Sequence, residues 1–164
     1  LYQKEITDAN FYILNNKDIN ESLRIDIRNN LLTSDEYETV SDYLMRITNS
    51  LKKLHDKEIP LTEQELNVIL KLHDKTNLFF RKIDAGFQNR NSARIKESLI
   101  IGKEITSLYK SAKESSIDFG TRADATTLST TNYTDIINFY RRVSDHLINV
   151  IEGYADRNGK LRIE

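Results

Sequence analysis

The side chains best able to do chemistry stand close together near the end of the chain, in the segment YRRVSDHLINVIEG, residues 140–153. A carboxylate, Asp145, is followed by an imidazole, His146, and two arginines, Arg141 and Arg142, precede them. A carboxylate and an imidazole can share a proton, bind a metal ion or hydrogen-bond a partner, and imidazole changes its charge near neutral pH. The segment is therefore either a site or the hydrated side of a helix.

The spacing of apolar residues predicts that this segment is an amphipathic helix, with apolar side chains recurring at steps of three and four. Its apolar face carries Tyr140, Val143, Leu147, Val150 and Tyr154. Its polar face carries Arg141, Asp145, Asn149 and Glu152. Because Arg141 stands four residues before Asp145, we expect an ion pair between them along the helix surface.

The composition predicts an all-α protein. Of 164 residues, 38% are hydrophobic and 30% charged, and there are five glycines and one proline. This length suits a single domain, residues 1–164. The 24 basic and 25 acidic residues nearly cancel, so no nucleic-acid partner is expected. The absence of cysteine excludes disulfides and thiolate chemistry.

Helix start and stop signals predict where the other helices begin and end. A first helix is predicted to end near Asn15. Asp18 and Glu21 have the spacing of a capping box, and the helix after them is predicted to run to about Asp56, in one piece or in two if residues 33–34 interrupt it.

Pro60 separates that segment from the best-marked helix start, where Thr62 and Glu65 form a second predicted capping box. The predicted buried stripe of this helix is Leu66, Ile69, Leu70, His73, Phe80 and Ile83.

A fourth helix is predicted to carry the apolar residues Ile95, Leu99, Ile105, Leu108 and Ala112 and to end at Gly120. The stretch TRADATTLSTTN then connects it to the last helix, which ends near Gly159.

The chain also resembles itself. LLTSDEYETVSDYLMRITNSLKKL aligns with TTLSTTNYTDIINFYRRVSDHLINV at an offset of 96 residues, and KEIT recurs at an offset of 99. The aligned pairs include Tyr37 with Tyr133, Arg46 with Arg142, Thr48 with Ser144 and Asn49 with Asp145. Either two amphipathic helices match by chance, or a helical unit is duplicated, with copies at about 1–86 and 87–157. Matching polar residues favour duplication.

The end of the chain resembles the PhoU family signature of the form LERIGDHAVNIAE. The matching positions are Arg142, Val143, Ser144, Asp145, His146, Asn149 and Glu152. The first copy, YLMRITNSLKKL, is similar to a degenerate form of it. The resemblance implies an antiparallel bundle of long helices with an internal pseudo-repeat.

The resemblance also implies a setting. PhoU-like domains occur as the cytoplasmic C-terminal part of bacterial sodium/phosphate cotransporter family proteins and as free-standing phosphate-signalling adaptors. Because the chain starts abruptly at Leu1, we expect a fragment of the first type, on the cytoplasmic side of the inner membrane. Its expected partner is the transmembrane part of the same polypeptide or a transporter subunit; its oligomeric state is open, and a homo-oligomer is compatible with it.

The metal-binding form of the signature has a carboxylate four residues before the aspartate, and this chain departs from it. The second copy has Arg141 before Asp145, and the first has Met45 before Asn49. We therefore expect no metal and no cofactor, with a metal-binding bundle as an alternative. No catalytic motif accompanies His146.

The expected function is a non-catalytic regulatory or interaction domain linked to phosphate uptake. The candidate interaction surface consists of Arg46, Asn49, Arg142, Asp145 and His146. Their expected role is hydrogen bonding between helices and to a partner.

Overall fold

The computed structural model describes residues 2–15, 18–89, 92–119 and 127–157, and over these residues it confirms an all-α helical bundle. Five helices follow one another: α1 (Tyr2–Leu14), α2 (Glu21–Asp56), α3 (Glu63–Gln88), α4 (Ser92–Phe119) and α5 (Thr127–Arg157). At a rise of about 1.5 Å per residue, α2 is about 54 Å long. In the part of the chain described, no helix combines the length and apolarity needed to cross a bilayer.

Helices α2 and α5 run antiparallel along each other. His146 contacts Glu36, while the earlier Phe139 lies 5.9 Å from the later Tyr43, ring centroid to ring centroid. These two helices carry the two signature-like segments, residues 43–54 and 139–152. In the antiparallel pairing these segments overlap near their N-terminal ends, where Tyr43 lies beside Phe139.

Helices α3 and α5 run parallel. The ring of His73 lies 6.5 Å from that of Tyr140, and fourteen residues further along both helices the ring of Phe87 lies 4.7 Å from that of Tyr154. Helix α4 packs on both α3 and α5 and is antiparallel to both, while α1 packs on α2. Helices α2 to α5 thus alternate in direction, as in an up-down-up-down bundle.

The core lies around α5, which contacts α2, α3 and α4. Its buried side chains are Tyr133, Ile136, Ile137, Tyr140, Val143, Leu147, Val150 and Ile151. They meet Leu72, Phe79 and Ile83 of α3 and Ile95 and Ile105 of α4 in one hydrophobic cluster. Since full burial of each large aliphatic or aromatic side chain contributes about 1.5–3 kcal/mol, α5 supplies the largest apolar contribution to the bundle.

The predicted capping box at the start of α2 is wrong. The N-cap is Asn20, whose Oδ1 accepts a hydrogen bond from the Leu23 amide at 2.8 Å. A cap must directly precede the first helical residue, and asparagine is among the best residues there. Asp18 stands two residues too early, and Glu21 is the first helical residue. The helix continues unbroken through residues 33–34.

The predicted capping box at the start of α3 is confirmed. Thr62 Oγ1 accepts from the Glu65 amide at 3.2 Å, and Glu65 Oε2 accepts from the Thr62 amide at 2.8 Å. The Thr62 hydroxyl also donates to Glu65 Oε2. Two donors therefore satisfy the buried Glu65 carboxylate and set where the helix begins.

The predicted stripe of α3 is only partly correct. Ile69 and Ile83 are buried, but Leu66 and Leu70 are about half exposed and His73 lies on the exposed side. The residues that fill the interface are Ile69, Leu72, Thr76, Phe79 and Ile83. Two overlapping sets of residues have helical spacing here, and packing against α4 and α5 selects the second.

The remaining helix boundaries agree in part with the sequence. Of the apolar residues predicted for α4, Ile95, Ile105 and Ala112 are buried, and Leu99 and Leu108 are partly buried against the core. Helix α5 begins at Thr127, so the second half of TRADATTLSTTN is helical. The predicted ends at Gly120 and Gly159 lie outside the described residues.

Two buried glycines mark close contacts between helices. A Cβ on Gly102 would lie 3.2 Å from Ile148 Cδ1 and 3.3 Å from Phe79 Cε1. At Gly86, where α3 meets α4, a Cβ would lie only 2.5 Å from Ile95 Cγ1.

Gly86→Ala is expected to lower the free energy of unfolding by about 1–3 kcal/mol, because the methyl group would overlap the fully buried Ile95. Gly153→Ala is the matched control. A Cβ there has Thr33 Oγ1 at 3.8 Å, so the variant should gain about 0.5–1 kcal/mol from its lower backbone entropy in the unfolded chain. Urea denaturation of both variants measures the difference. A stabilised Gly86→Ala variant would contradict this packing.

Candidate functional site

The segment 140–153 lies in α5 with its two faces as predicted. Val143 and Leu147 have no exposed surface, and Ser144 between them is also fully buried. On the other face Asn149 and Glu152 are exposed. The buried face of α5 is fixed by the core, so the polar residues of the segment are presented along the edges of the α2–α5 and α4–α5 contacts.

On the α4 side, Arg141 and Asp145 form the ion pair expected from their spacing. Arg141 Nη2 lies 3.6 Å from Asp145 Oδ2, and each side chain is about one third exposed. The guanidinium carbon also lies 5.4 Å from the ring centroid of Tyr109. A partly exposed pair of this kind contributes about 0–1 kcal/mol, so its main effect is to neutralise Asp145.

On the α2 side, three side chains form the α2–α5 polar cluster: Glu36, His146 and Asn149. His146 Nδ1 lies 2.6 Å from Glu36 Oε2, and Asn149 Nδ2 donates to both Glu36 oxygens at 3.1 and 3.2 Å. An ionised carboxylate only accepts hydrogen bonds, so the imidazole carries its proton on Nδ1. His146 and Glu36 are each about one quarter exposed.

Tyr43 of α2 lies between this cluster and a second candidate residue, Arg46. The His146 ring stacks on the Tyr43 ring at 5.6 Å between centroids, with an interplanar angle of 26°. The Arg46 guanidinium carbon lies 5.2 Å from the centroid of the same ring. One candidate from each copy of the repeat, Arg46 and His146, therefore packs on one tyrosine.

The other three candidate residues lie apart from this cluster. Asp145 is turned toward Arg141. Asn49 and Arg142 are exposed, and neither forms a hydrogen bond or ion pair with any residue in the four described ranges. The five predicted positions thus do not form one continuous set of contacts.

The cluster can orient an imidazole and hold two helices together. Glu36 fixes the ring through Nδ1 and leaves Nε2 for another partner. Across the described residues, no group of three His, Asp or Glu side chains is placed to hold a metal ion. The geometry favours hydrogen bonding across the α2–α5 contact.

Glu36 is the member of the cluster that the sequence reasoning missed. It stands 110 residues before His146. It lies within the aligned repeat but before the signature-like segment YLMRITNSLKKL, so the signature did not point to it. The antiparallel pairing of α2 and α5 is what would have indicated Glu36. It stands seven residues, or about two helical turns, before Tyr43 on α2.

Two aligned tyrosines, Tyr37 and Tyr133, have phenol pKa values above the ordinary value. Burial, together with the negative charge of Glu65, raises the pKa of Tyr133 to about 12. Burial and then the charge of Asp84 raise the pKa of Tyr37. Both carboxylates belong to α3, so both phenols are kept neutral in the same way.

Compared with the models of known protein families, with curated proteins and with solved structures, the chain has no match. The resemblance to the PhoU signature therefore remains a prediction from the residues quoted for it.

A double-mutant cycle of Glu36→Ala and His146→Ala is expected to give a coupling energy of about 1 kcal/mol in urea denaturation, because the pair is short, partly buried and supported by Asn149. The control cycle uses Lys75 and Glu104, which also lie 2.6 Å apart but are 37% and 50% exposed. Its coupling should be about 0.5 kcal/mol or less. Equal couplings would contradict a special role for the cluster.

Tyr133→Phe is expected to leave stability at pH 7 unchanged or raise it by up to about 1 kcal/mol, since the buried hydroxyl has no hydrogen-bond partner in the part of the chain that the structure describes. The raised pKa in the folded state means that the unfolded chain loses its phenolic proton first. Wild-type stability should therefore fall between about pH 10 and pH 12, and Tyr133→Phe should fall less. The exposed Tyr12→Phe is the control and should follow the wild type.

Proposed function

We propose that this chain is a non-catalytic regulatory or interaction domain of a sodium/phosphate cotransporter family protein, on the cytoplasmic side of a bacterial inner membrane. Its partner is the transmembrane part of the same polypeptide or a transporter subunit. The signature-like residues 142–152 support this assignment, as does the facing arrangement of α2 and α5, which carry the two copies.

The orientation of α1 is the observation that carries the proposal of an interaction domain. The residues of α1 turned toward α2 are Gln3, Thr7, Asn10 and Leu14, which are mostly polar. Four of its apolar residues are exposed: Ile6 is 45%, Ile13 41%, Phe11 53% and Tyr12 83% exposed. Ile6 and Ile13 are seven residues apart and lie on one side of the helix, whereas Phe11 and Tyr12 point in other directions. Exposed apolar residues on one side of a helix suit a surface that another chain segment covers.

The contact between α1 and α2 is weak for its length. Gln3 Nε2 donates to Asp35 Oδ1 at 3.1 Å, but Thr7 Oγ1 and Asn29 Nδ2 are buried without a hydrogen-bond partner among the described residues. Unpaired buried polar atoms each reduce the stability of a contact by about 1–3 kcal/mol. Such a contact can be exchanged for a better one.

This arrangement supports a mechanism by differential contact. A membrane partner that covers Ile6 and Ile13 would favour one position of α1 over another. A ligand or partner shifts a conformational equilibrium only by the difference between its contacts in the two states. The exposed residues Ile6 and Ile13 can supply such a difference in contacts without any chemical reaction.

The test uses the full-length gene product with a protease site engineered before Leu1. After cleavage, the wild-type domain is expected to stay with the membrane fraction, and Ile6→Glu/Ile13→Glu to be released, because burying two carboxylates against apolar contacts is unfavourable. Leu66→Glu/Leu70→Glu is the control, since these α3 leucines are similarly exposed, and it should be retained.

Three outcomes would contradict parts of the proposal. If the Ile6→Glu/Ile13→Glu domain stays bound like the control, α1 is not the contact. If the full-length gene product has no membrane-spanning region, the free-standing adaptor replaces the cotransporter assignment. Phosphate uptake measured in cells carrying each variant then tests the link to transport. Equal uptake by the wild type and both variants would contradict that link.

A further inference from the structure

A shallow groove lies between α4 and α5, on the side of the bundle away from the α2–α5 polar cluster. It encloses about 250 Å³ and is lined by Lys103, Thr106, Ser107 and Lys110 of α4 and by Ile148 of α5. The four α4 residues fall at steps of three, one and three, so they form one face of the helix. The groove thus combines two ammonium groups, two hydroxyls and an apolar wall.

Two acidic residues near this groove are engaged elsewhere, while Glu114, four residues after Lys110 on the same face of α4, forms no ion pair with a residue that the structure describes. Glu104 follows Lys103 in sequence, but its Oε2 lies 2.6 Å from the ammonium of Lys75 on α3. Asp145 of α5 is paired with Arg141. Neither Lys103 nor Lys110 forms an ion pair with any residue that the structure describes. The positive charge of the groove is therefore not neutralised within the described part of the chain.

The spacing of the lysines suits a small anion. Lys103 and Lys110 are seven residues apart, so their Cα atoms are separated by about 10 Å along α4, and long side chains can converge from both ends. Ser107 stands between them with its hydroxyl available as a donor. Thr106 donates to the Gly102 carbonyl at 3.1 Å, so its hydroxyl is already used.

We propose that the groove formed by Lys103, Ser107, Lys110 and Ile148 binds a doubly charged oxyanion of the phosphate type, either inorganic phosphate or the phosphoryl group of a small phosphomonoester. Lysine ammonium groups bind phosphate as point charges, and a hydroxyl adds a directed hydrogen bond. Ile148 closes one side and excludes a large ligand. The site does not depend on the proposed function, because it rests on α4 and α5 alone.

The test is a titration followed by amide chemical shifts in α4, with inorganic phosphate at constant ionic strength and with chloride as the reference salt. Saturable shifts are expected with a Kd on the order of 1 mM or tighter. Lys103→Gln/Lys110→Gln should weaken binding about tenfold or more, because both charged contacts are lost. Lys71→Gln/Lys82→Gln removes two exposed lysines of α3 and should bind within about twofold of the wild type.

Parallel titrations with glycerol 3-phosphate distinguish the two sources of the phosphoryl group. Tighter binding of the ester would assign the groove to a phosphomonoester, and tighter binding of inorganic phosphate to the free ion. Shifts that do not saturate, that chloride reproduces, or that persist in Lys103→Gln/Lys110→Gln would overturn the site. Circular dichroism of each variant checks that the helices are retained, and Ser107→Ala, which leaves both charges in place, should weaken binding without affecting the fold.

Discussion

The enclosure of α5 by three other helices is the constraint on which the rest of the bundle depends. Because α2, α3 and α4 each pack on it, α5 buries eight large apolar side chains. Its charged side chains lie along the edges of these contacts, since burying a charge is unfavourable. That is why polar residues of its central turns divide into two groups, with His146 and Asn149 beside α2 and Arg141 and Asp145 beside α4.

Local signals in the sequence predicted the fold where the local geometry decides the outcome. The capping box of Thr62 and Glu65 needs only residues three apart, and it forms as expected. The cap predicted at Asp18 does not form, because Asn20 is an equally good capping residue and directly precedes the first helical residue. The stripe of α3 could not be fixed from sequence, since Leu66 and Leu72 both have suitable spacing and only the neighbouring helices choose between them.

The candidate site was predictable in part for the same reason. The pairing of Arg141 with Asp145 lies within one helix and follows from the spacing of four residues. The partner of His146 lies on another helix, and its identity depends on the register of α2 against α5, which no short motif encodes. Only the structure reveals Glu36 as the partner of His146, and Tyr43 as the ring on which both Arg46 and His146 pack.

Helix α1 exposes several apolar residues and turns a largely polar face toward α2, and this arrangement decides which measurement can detect its movement. Since its apolar residues are already exposed and the face on α2 is largely polar, detaching α1 would add little apolar surface to water. Both the heat capacity of unfolding and the denaturant dependence scale with newly exposed surface. Opening of α1 would therefore hardly register in calorimetry or urea titration. Hydrogen exchange of its backbone amides, which reports local opening directly, would detect it.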